Sequence, residues 1–173
     1  MKRTILVLAA LAALALTTAA VAANHAHGTK GDDVFTGTSG RDVFHAWAGN
    51  DSVSGLDGND ALWGGRGNDT ISGGDGNDEI HGRSGNDTVD GGDGNDRIWV
   101  GWGADVENGG DGNDVLHALA RDHQHDTIDC GPGNDVVWLR AGEDDTAVNC
   151  ETVKTVSVVS AAEASAEGGP AGD

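Results

Sequence analysis

The chain has 173 residues, of which 29 are Gly, and 29 Asp and Glu outnumber 10 Lys and Arg to give a formal charge of −19 at pH 7. That charge repels phosphate backbones, so a nucleic-acid partner is excluded from the reading. The length leaves room for one domain.

Met1–Ala23 reads as a secretory signal peptide. Lys2 and Arg3 form its positive start, Ile5–Leu16 its apolar stretch, and Val21-Ala22-Ala23 a small-residue cleavage site. The apolar run is short and Ala-rich with no basic stop-transfer flank, so no membrane span is expected after cleavage. The remaining 150 residues (173 − 23) would carry a charge of −21 and act outside the cell. Residues 24–27 form a lead-in.

From Gly28 to His117 the sequence runs through ten consecutive nine-residue units without insertion or deletion, clearest in GGRGNDTIS, GGDGNDEIH, GRSGNDTVD and GGDGNDRIW. Position four is Gly in every unit. Position six is Asp in every unit: Asp33, Asp42, Asp51, Asp60, Asp69, Asp78, Asp87, Asp96, Asp105 and Asp114. Position eight is apolar in nine units, running Phe35, Phe44, Val53, Leu62, Ile71, Ile80, Val89, Ile98 and Leu116, with Glu107 the exception.

These constraints have one physical reading. Positions one to six form a Gly-rich loop, since glycine reaches positive φ freely and lets carbonyls crowd an ion. Positions seven to nine form a three-residue strand whose alternation sends residue eight inward. Two units complete one turn of a flattened coil, and stacking is compulsory because one unit cannot bury its own apolar residue. The loops offer carboxylate and carbonyl oxygens, which suit calcium and its six to eight oxygen ligands better than zinc, copper or magnesium.

The pattern resembles the hemolysin-type, or RTX, repeat GGxGxDxUx. The resemblance implies an all-β fold: a parallel β-roll, a right-handed two-sheet solenoid of 18 residues per turn. It also implies several calcium ions between neighbouring loops on each edge, held by position-six carboxylates and loop carbonyls. Without cations the stacked carboxylates repel one another, so ion binding and folding are expected to be one process. Extracellular modules bind calcium with Kd of about 10⁻⁴–10⁻³ M, which matches calcium outside cells.

Odd and even units differ. At position three, even units carry Ser39, Asp57, Asp75, Asp93 and Asp111, so one edge is the more acidic. At position nine, even units carry His45, Trp63, His81, Trp99 and His117, which predicts a His-Trp column on one outer sheet face. With rungs about 4.8 Å apart, each Trp lies within stacking distance of two imidazoles. The column is either a stiffening ladder or a flat platform for a glycan, a cell-surface polymer or a protein.

Glu107 conflicts with a dry interior. Either the unit Val100–Asn108 slips so that Val106 turns inward, the favoured reading, or Glu107 is protonated or paired. This unit also lacks Gly at position one, which makes Asp105 the least secure ligand.

After His117 the register shifts by three residues and resumes with RDHQHDTID and CGPGNDVVW, giving core positions Ile128 and Val137 and carboxylates Asp126 and Asp135. Asp122, His123, His125 and Asp126 have transition-metal chemistry, but in an irregular loop they are expected to be solvated. Cys130 and Cys150 are the only cysteines, and in a secreted chain an even pair reads as a disulfide. The segment resembles the cysteine-bearing C-terminal unit of some secreted family members, so residues 118–159 would be degenerate repeats and a cap, closed by a strand over Thr152–Val159. Residues 160–173 read as a disordered tail.

No HExxH or GxSxG motif occurs, and nearly the whole mature chain is committed to repeats or cap. The expected function is a secreted, non-enzymatic calcium-binding module with a structural or interaction role. The alternatives are a small toxin, a hydrolase accessory protein or a calcium buffer.

Overall fold

The computed structural model describes residues 24–156. The leader assigned to 1–23, the tail assigned to 160–173 and the end of the strand expected to reach Val159 lie outside the described residues. The described chain forms fifteen strands, β1 to β15 in chain order, all in parallel pairings. One sheet contains β1 (Asn24–His27), β3 (Asp42–Ala48), β5 (Ala61–Arg66), β7 (Glu79–Ser84), β9 (Arg97–Trp102), β11 (Val115–Ala118), β13 (Val136–Arg140) and β15 (Thr152–Val156). The other contains β2 (Val34–Thr36), β4 (Ser52–Asp57), β6 (Thr70–Asp75), β8 (Thr88–Asp93), β10 (Val106–Asp111), β12 (Thr127–Asp129) and β14 (Thr146–Val148). The chain alternates between the sheets with each unit, so two nonapeptides make one turn and partners lie 18 residues apart, as in Val53↔Ile71↔Val89.

Position-eight residues meet between the sheets. Leu62, Ile80, Ile98 and Leu116 from one side and Ile71, Val89 and Ile128 from the other are each at most 1% exposed. Phe35 and Phe44 close the N-terminal end of this file, stacked with ring centroids 4.1 Å apart. The filling is only two side chains thick, so the fold relies on backbone ladders as well as apolar burial.

The strands are longer than the three residues expected. A typical one, Thr70–Asp75, spans six and includes positions one to three of the following unit. Pairing skips position one and resumes at position two, as at Ser54↔Ser72 followed by Leu56↔Gly74. From the third unit to the tenth, position two carries positive φ, +110° at Gly74, where a Cβ would stand 1.8 Å from the Leu56 carbonyl oxygen. This kink bends the strand yet leaves its hydrogen bonds to the next rung, so the true corner is confined to positions four to six.

The expected slip at Glu107 does not occur. Glu107 pairs in register with Val89 and Ile128, is 1% exposed, and leaves Val106 49% exposed on the outer face. Parallel ladders on both sides hold the register, and a one-residue shift would break both and invert every neighbouring side chain.

After β11 the repeat distance becomes 21, with Val115↔Val136 and Val106↔Thr127. The insertion is packed rather than looped out: Ala118, Leu119 and Ala120 are buried, and the buried Arg140 guanidinium donates to the Leu119 carbonyl at 3.3 Å. Ile128 and Val137 occupy the core as expected. Cys130 and Cys150 form the disulfide, Cα to Cα 5.2 Å, joining the last turns. Among the described residues no helix is long and apolar enough to cross a membrane.

Candidate metal centres at the corners

All twelve predicted aspartates lie at the corners and none is more than 3% exposed. They form two columns. One runs Asp33, Asp51, Asp69, Asp87, Asp105, Asp126; the other Asp42, Asp60, Asp78, Asp96, Asp114, Asp135. Within each column the backbone N–H of one Asp donates to Oδ1 of the next, 2.7 to 2.9 Å away. The Asp carbonyl in turn accepts from the first strand residue of the next turn, as Thr88 N–H does to Asp69 at 2.8 Å. Each carboxylate is thereby fixed in direction before any ligand arrives.

That arrangement satisfies one oxygen and strands the other. Oδ2 of Asp51, Asp60, Asp69, Asp78, Asp87, Asp96, Asp105, Asp114 and Asp135 is buried without a hydrogen-bond partner, as is Oδ1 of Asp42. A buried carboxylate oxygen left unpaired is costly, so a row of them fits a set of cation sites. The position-one glycines frame the same place. A Cβ on Gly73 would meet Asp78 Oδ2 at 2.2 Å and the Gly91 carbonyl at 2.5 Å; on Gly55 it would meet Asp60 Oδ2 at 2.2 Å and the Gly73 carbonyl at 2.5 Å. The absent side chain thus leaves a cradle where a carboxylate oxygen converges with a carbonyl oxygen of the next turn.

The donor set is all oxygen, which fits a hard divalent cation. Among the described residues no three His, Cys, Asp or Glu side chains cluster as a metal site would require. Carbonyls must therefore supply the larger share of any ion's ligands.

Burial raises the carboxyl pKa values first, with neighbouring aspartates adding to the rise and the backbone N–H opposing it. Asp51, Asp60 and Asp114 are pushed up to about 6, Asp69, Asp96 and Asp105 to about 7, Asp126 to about 8 and Asp87 to about 9. These are sites that hold a proton when nothing better is offered.

The first turn differs. Position two is Thr there, and the Thr38 N–H and hydroxyl donate to Asp42 Oδ2 at 2.6 and 3.0 Å. Thr29 does the same for the two oxygens of Asp33, which has no stranded atom. At the other end the columns run two residues further than the sequence reading. Asp126 N–H donates to Asp145 at 3.1 Å and Asp135 N–H to Glu151 at 2.8 Å. The signal for Asp145 was present in Asp145-Thr146-Ala147, a position-six to position-eight pattern with Ala as its apolar member; Glu151 replaces the usual Asp and gives no such signal. Position five also forms a ladder: Asn68 N–H donates to Asn50 Oδ1, and Asn86 N–H to Asn68, each at 2.8 Å.

The residues of the degenerate loop disperse. Asp126 joins its column, Asp122 accepts from the Gly103 N–H at 2.7 Å, His123 pairs with Glu143 at 3.3 Å, and the His125 ring contacts the Asp144 carbonyl.

The predicted column on the eight-stranded sheet is present. His45, Trp63, His81, Trp99 and His117 stack with centroids 4.1 to 5.5 Å apart and planes within 9°. It is longer than expected, continuing to His27 at one end and Trp138 at the other, where Lys154 sits 4.3 Å over the indole. Because the rings cover one another's faces, the column presents ring edges outward.

A parallel two-sheet solenoid with Gly-framed, oxygen-lined corners defines a calcium-binding β-roll. The sequence model of the RTX calcium-binding nonapeptide repeat matches residues 27–62, 54–89, 72–107, 81–116 and 124–145. The chain belongs to this family. No curated protein matches it.

Proposed function

We propose that the protein is a secreted, non-enzymatic module whose β-roll folds on calcium outside the cell and serves a structural or interaction role. The observation that carries this reading is the row of stranded Oδ2 atoms along both corners, those of Asp60, Asp69, Asp78, Asp87, Asp96 and Asp114 each facing a position-one glycine cradle. The position-six aspartates from Asp42 through Asp135 are the carboxylate ligands in this reading, and Asp33 serves as an end cap closed by Thr29. Asp105 keeps the column geometry but is the weakest ligand, because Val100 puts a side chain where most units leave a cradle. The disulfide and the N-terminal leader support an oxidising, extracellular destination.

When bound, calcium supplies positive charge at the stranded oxygens. The chain's own groups do the rest: the N–H ladder orients each carboxylate, the glycines keep the corner open, and the file of apolar residues holds the turns in register. Because each site is shared between turns, it exists only in the stacked chain, and ligand binding adds directly to folding stability. The test is circular dichroism of the chain beginning at Asn24 during calcium titration, with magnesium as control and chelation as reversal. A cooperative gain of β-structure with calcium, lost on chelation, is expected; a spectrum indifferent to calcium contradicts the proposal.

A further inference from the structure

From the third unit to the tenth, position two sits at positive φ, and five of those eight units place Gly there, with φ of 118° at Gly65, 110° at Gly74, 106° at Gly92, 100° at Gly101 and 101° at Gly110. Three units place a large side chain there instead: Trp47 at φ 80°, Leu56 at 78° and Arg83 at 85°. Left-handed backbone is costly for such residues, and when it persists it marks positions where the side chain is needed. Trp47 and Arg83 share a row on the eight-stranded sheet. The register Trp47↔Gly65↔Arg83 puts them two rungs, about 10 Å, apart with glycine between. Gly65 cannot be filled, since its Cβ would meet the Trp47 carbonyl oxygen at 2.2 Å.

Trp47 is 62% exposed and stands outside the stacked column, its ring tilted 58° to that of His27. It therefore offers the open indole face that the column does not. The surroundings are cationic. On the outer side of β3, β5, β7 and β9 the charged residues are Arg66, Arg83, Arg97 and Glu79, and Glu79 is engaged by His81 at 3.1 Å. Burial first, then the neighbouring His27 and Arg83, lower the His45 pKa, and the guanidinium of Arg83 is the fixed positive charge felt there. The facing sheet is the opposite: the outward charges of β4, β6, β8 and β10 are Asp57, Asp75, Asp90, Asp93 and Asp111. Leu56 lies on that acidic side, and the inference does not extend to it.

We propose that Trp47 and Arg83, on either side of Gly65, form a docking notch for a carboxylated sugar of an acidic polysaccharide. The apolar face of the sugar ring packs on the indole, and its carboxylate takes the paired N–H donors of the guanidinium, the geometry in which Arg exceeds any other cation. Calcium loading neutralises the buried corner carboxylates, so the local charge of this face governs the encounter in spite of the acidic total. The inference rests on the proposed role as an extracellular interaction module and gives it a ligand class.

The experiment titrates the calcium-loaded protein with trigalacturonate, and with maltotriose as the uncharged control, by calorimetry. The variants are Trp47→Gly and Arg83→Gly, which install the residue most other units use and so relieve strain, and Trp47→Phe, which keeps an aromatic face. Trigalacturonate is expected to bind and maltotriose not. Each Gly variant should weaken binding about tenfold or more, and Trp47→Phe should largely retain it. The calcium-induced circular dichroism transition should stay in place for all three, which separates failure of the notch from failure of calcium-coupled folding. Undiminished binding by both Gly variants, equal binding of maltotriose, or no binding by the unmodified protein would overturn the proposal. So would variants that alter self-association in sedimentation while sugar binding stays the same, since the face would then serve a second copy of the chain.

Discussion

Glu107 shows how far a single residue can depart from the pattern when its neighbours hold the backbone. Both of its carboxylate oxygens are buried without partners, and burial, then Asp126, Asp105 and Asp145, raise its pKa well above the ordinary value. It sits among apolar rungs in an environment that favours its neutral form, and its unmet hydrogen bonds detract from stability. Glu107→Leu is expected to stabilise the fold by about 1–3 kcal/mol, read from urea or thermal denaturation; a loss of stability would mean that the carboxyl has a partner. Asp69→Asn separates the two jobs of a corner carboxylate. The amide oxygen can still accept the Asp51 N–H, but the charge facing the cradle is gone. Calcium midpoints should rise and the calcium-free roll should become more stable, opposite effects that a purely structural Asp would not produce.

At the scale of the element, the corner behaves as a proton–calcium exchanger. The folded-state pKa values of about 6 to 9 lie above the ordinary carboxylate value of 3.8. A raised value means that the folded chain holds more protons than the unfolded one, so stability falls as pH rises through that range. The calcium-free roll is therefore most stable at or below about pH 4 and loses stability from there to about pH 9. Calcium reverses the trend by replacing the protons. Its midpoint should move to higher concentration between pH 8 and pH 5, and calorimetry in buffers of different ionisation enthalpy should record proton release; a pH-independent midpoint would contradict this. The ring column makes a second, separable prediction. Replacing Trp63 and Trp99 by Ala should cost roughly 0.5–1.5 kcal/mol for each stacked pair lost and leave calcium stoichiometry unchanged.

Much of the element was legible in the nine-residue period. Residues repeating at one position of every unit, such as Asp69, Asp87 and Ile80, must share one environment, and alternation alone places His45, Trp63 and His81 on one outer face. Strand length was not legible, because glycines such as Gly73 and Gly74 read as loop when the neighbouring rungs in fact make them bent strand. Nor was the register at Glu107, since the burial cost of one side chain favours a slip and the opposing ladders of β8 and β12 are not visible in sequence. The stranding of Oδ2 lies in the third dimension: sequence shows that aspartates align, and only coordinates show that one oxygen of each is already used.

The described residues form a solenoid whose turns contact only their neighbours, so its ends decide whether the stack holds. The N-terminal turn is closed by Thr29 on Asp33, where a hydroxyl and an N–H stand in for an ion, while Thr38 holds only Oδ2 of Asp42 and leaves its Oδ1 stranded. The C-terminal turns are tied by Cys130–Cys150, which spans 20 residues. Replacing both cysteines by Ser should lower stability by about 3 kcal/mol in the chain-entropy model, with the last turns opening first in hydrogen exchange. Uniform exchange along the roll after that change would show that the bond does not act as an end clamp.

The central claim is that cations complete the corners. Crystals grown in calcium and measured for anomalous scattering test it most directly. The account predicts peaks along both corners, each beside an Asp Oδ2 and a position-one carbonyl, with the clearest between Asp60 and Asp96 where the cradles are glycine. Corners without such peaks in calcium-saturated crystals, the carboxylates turned toward solvent, would contradict it.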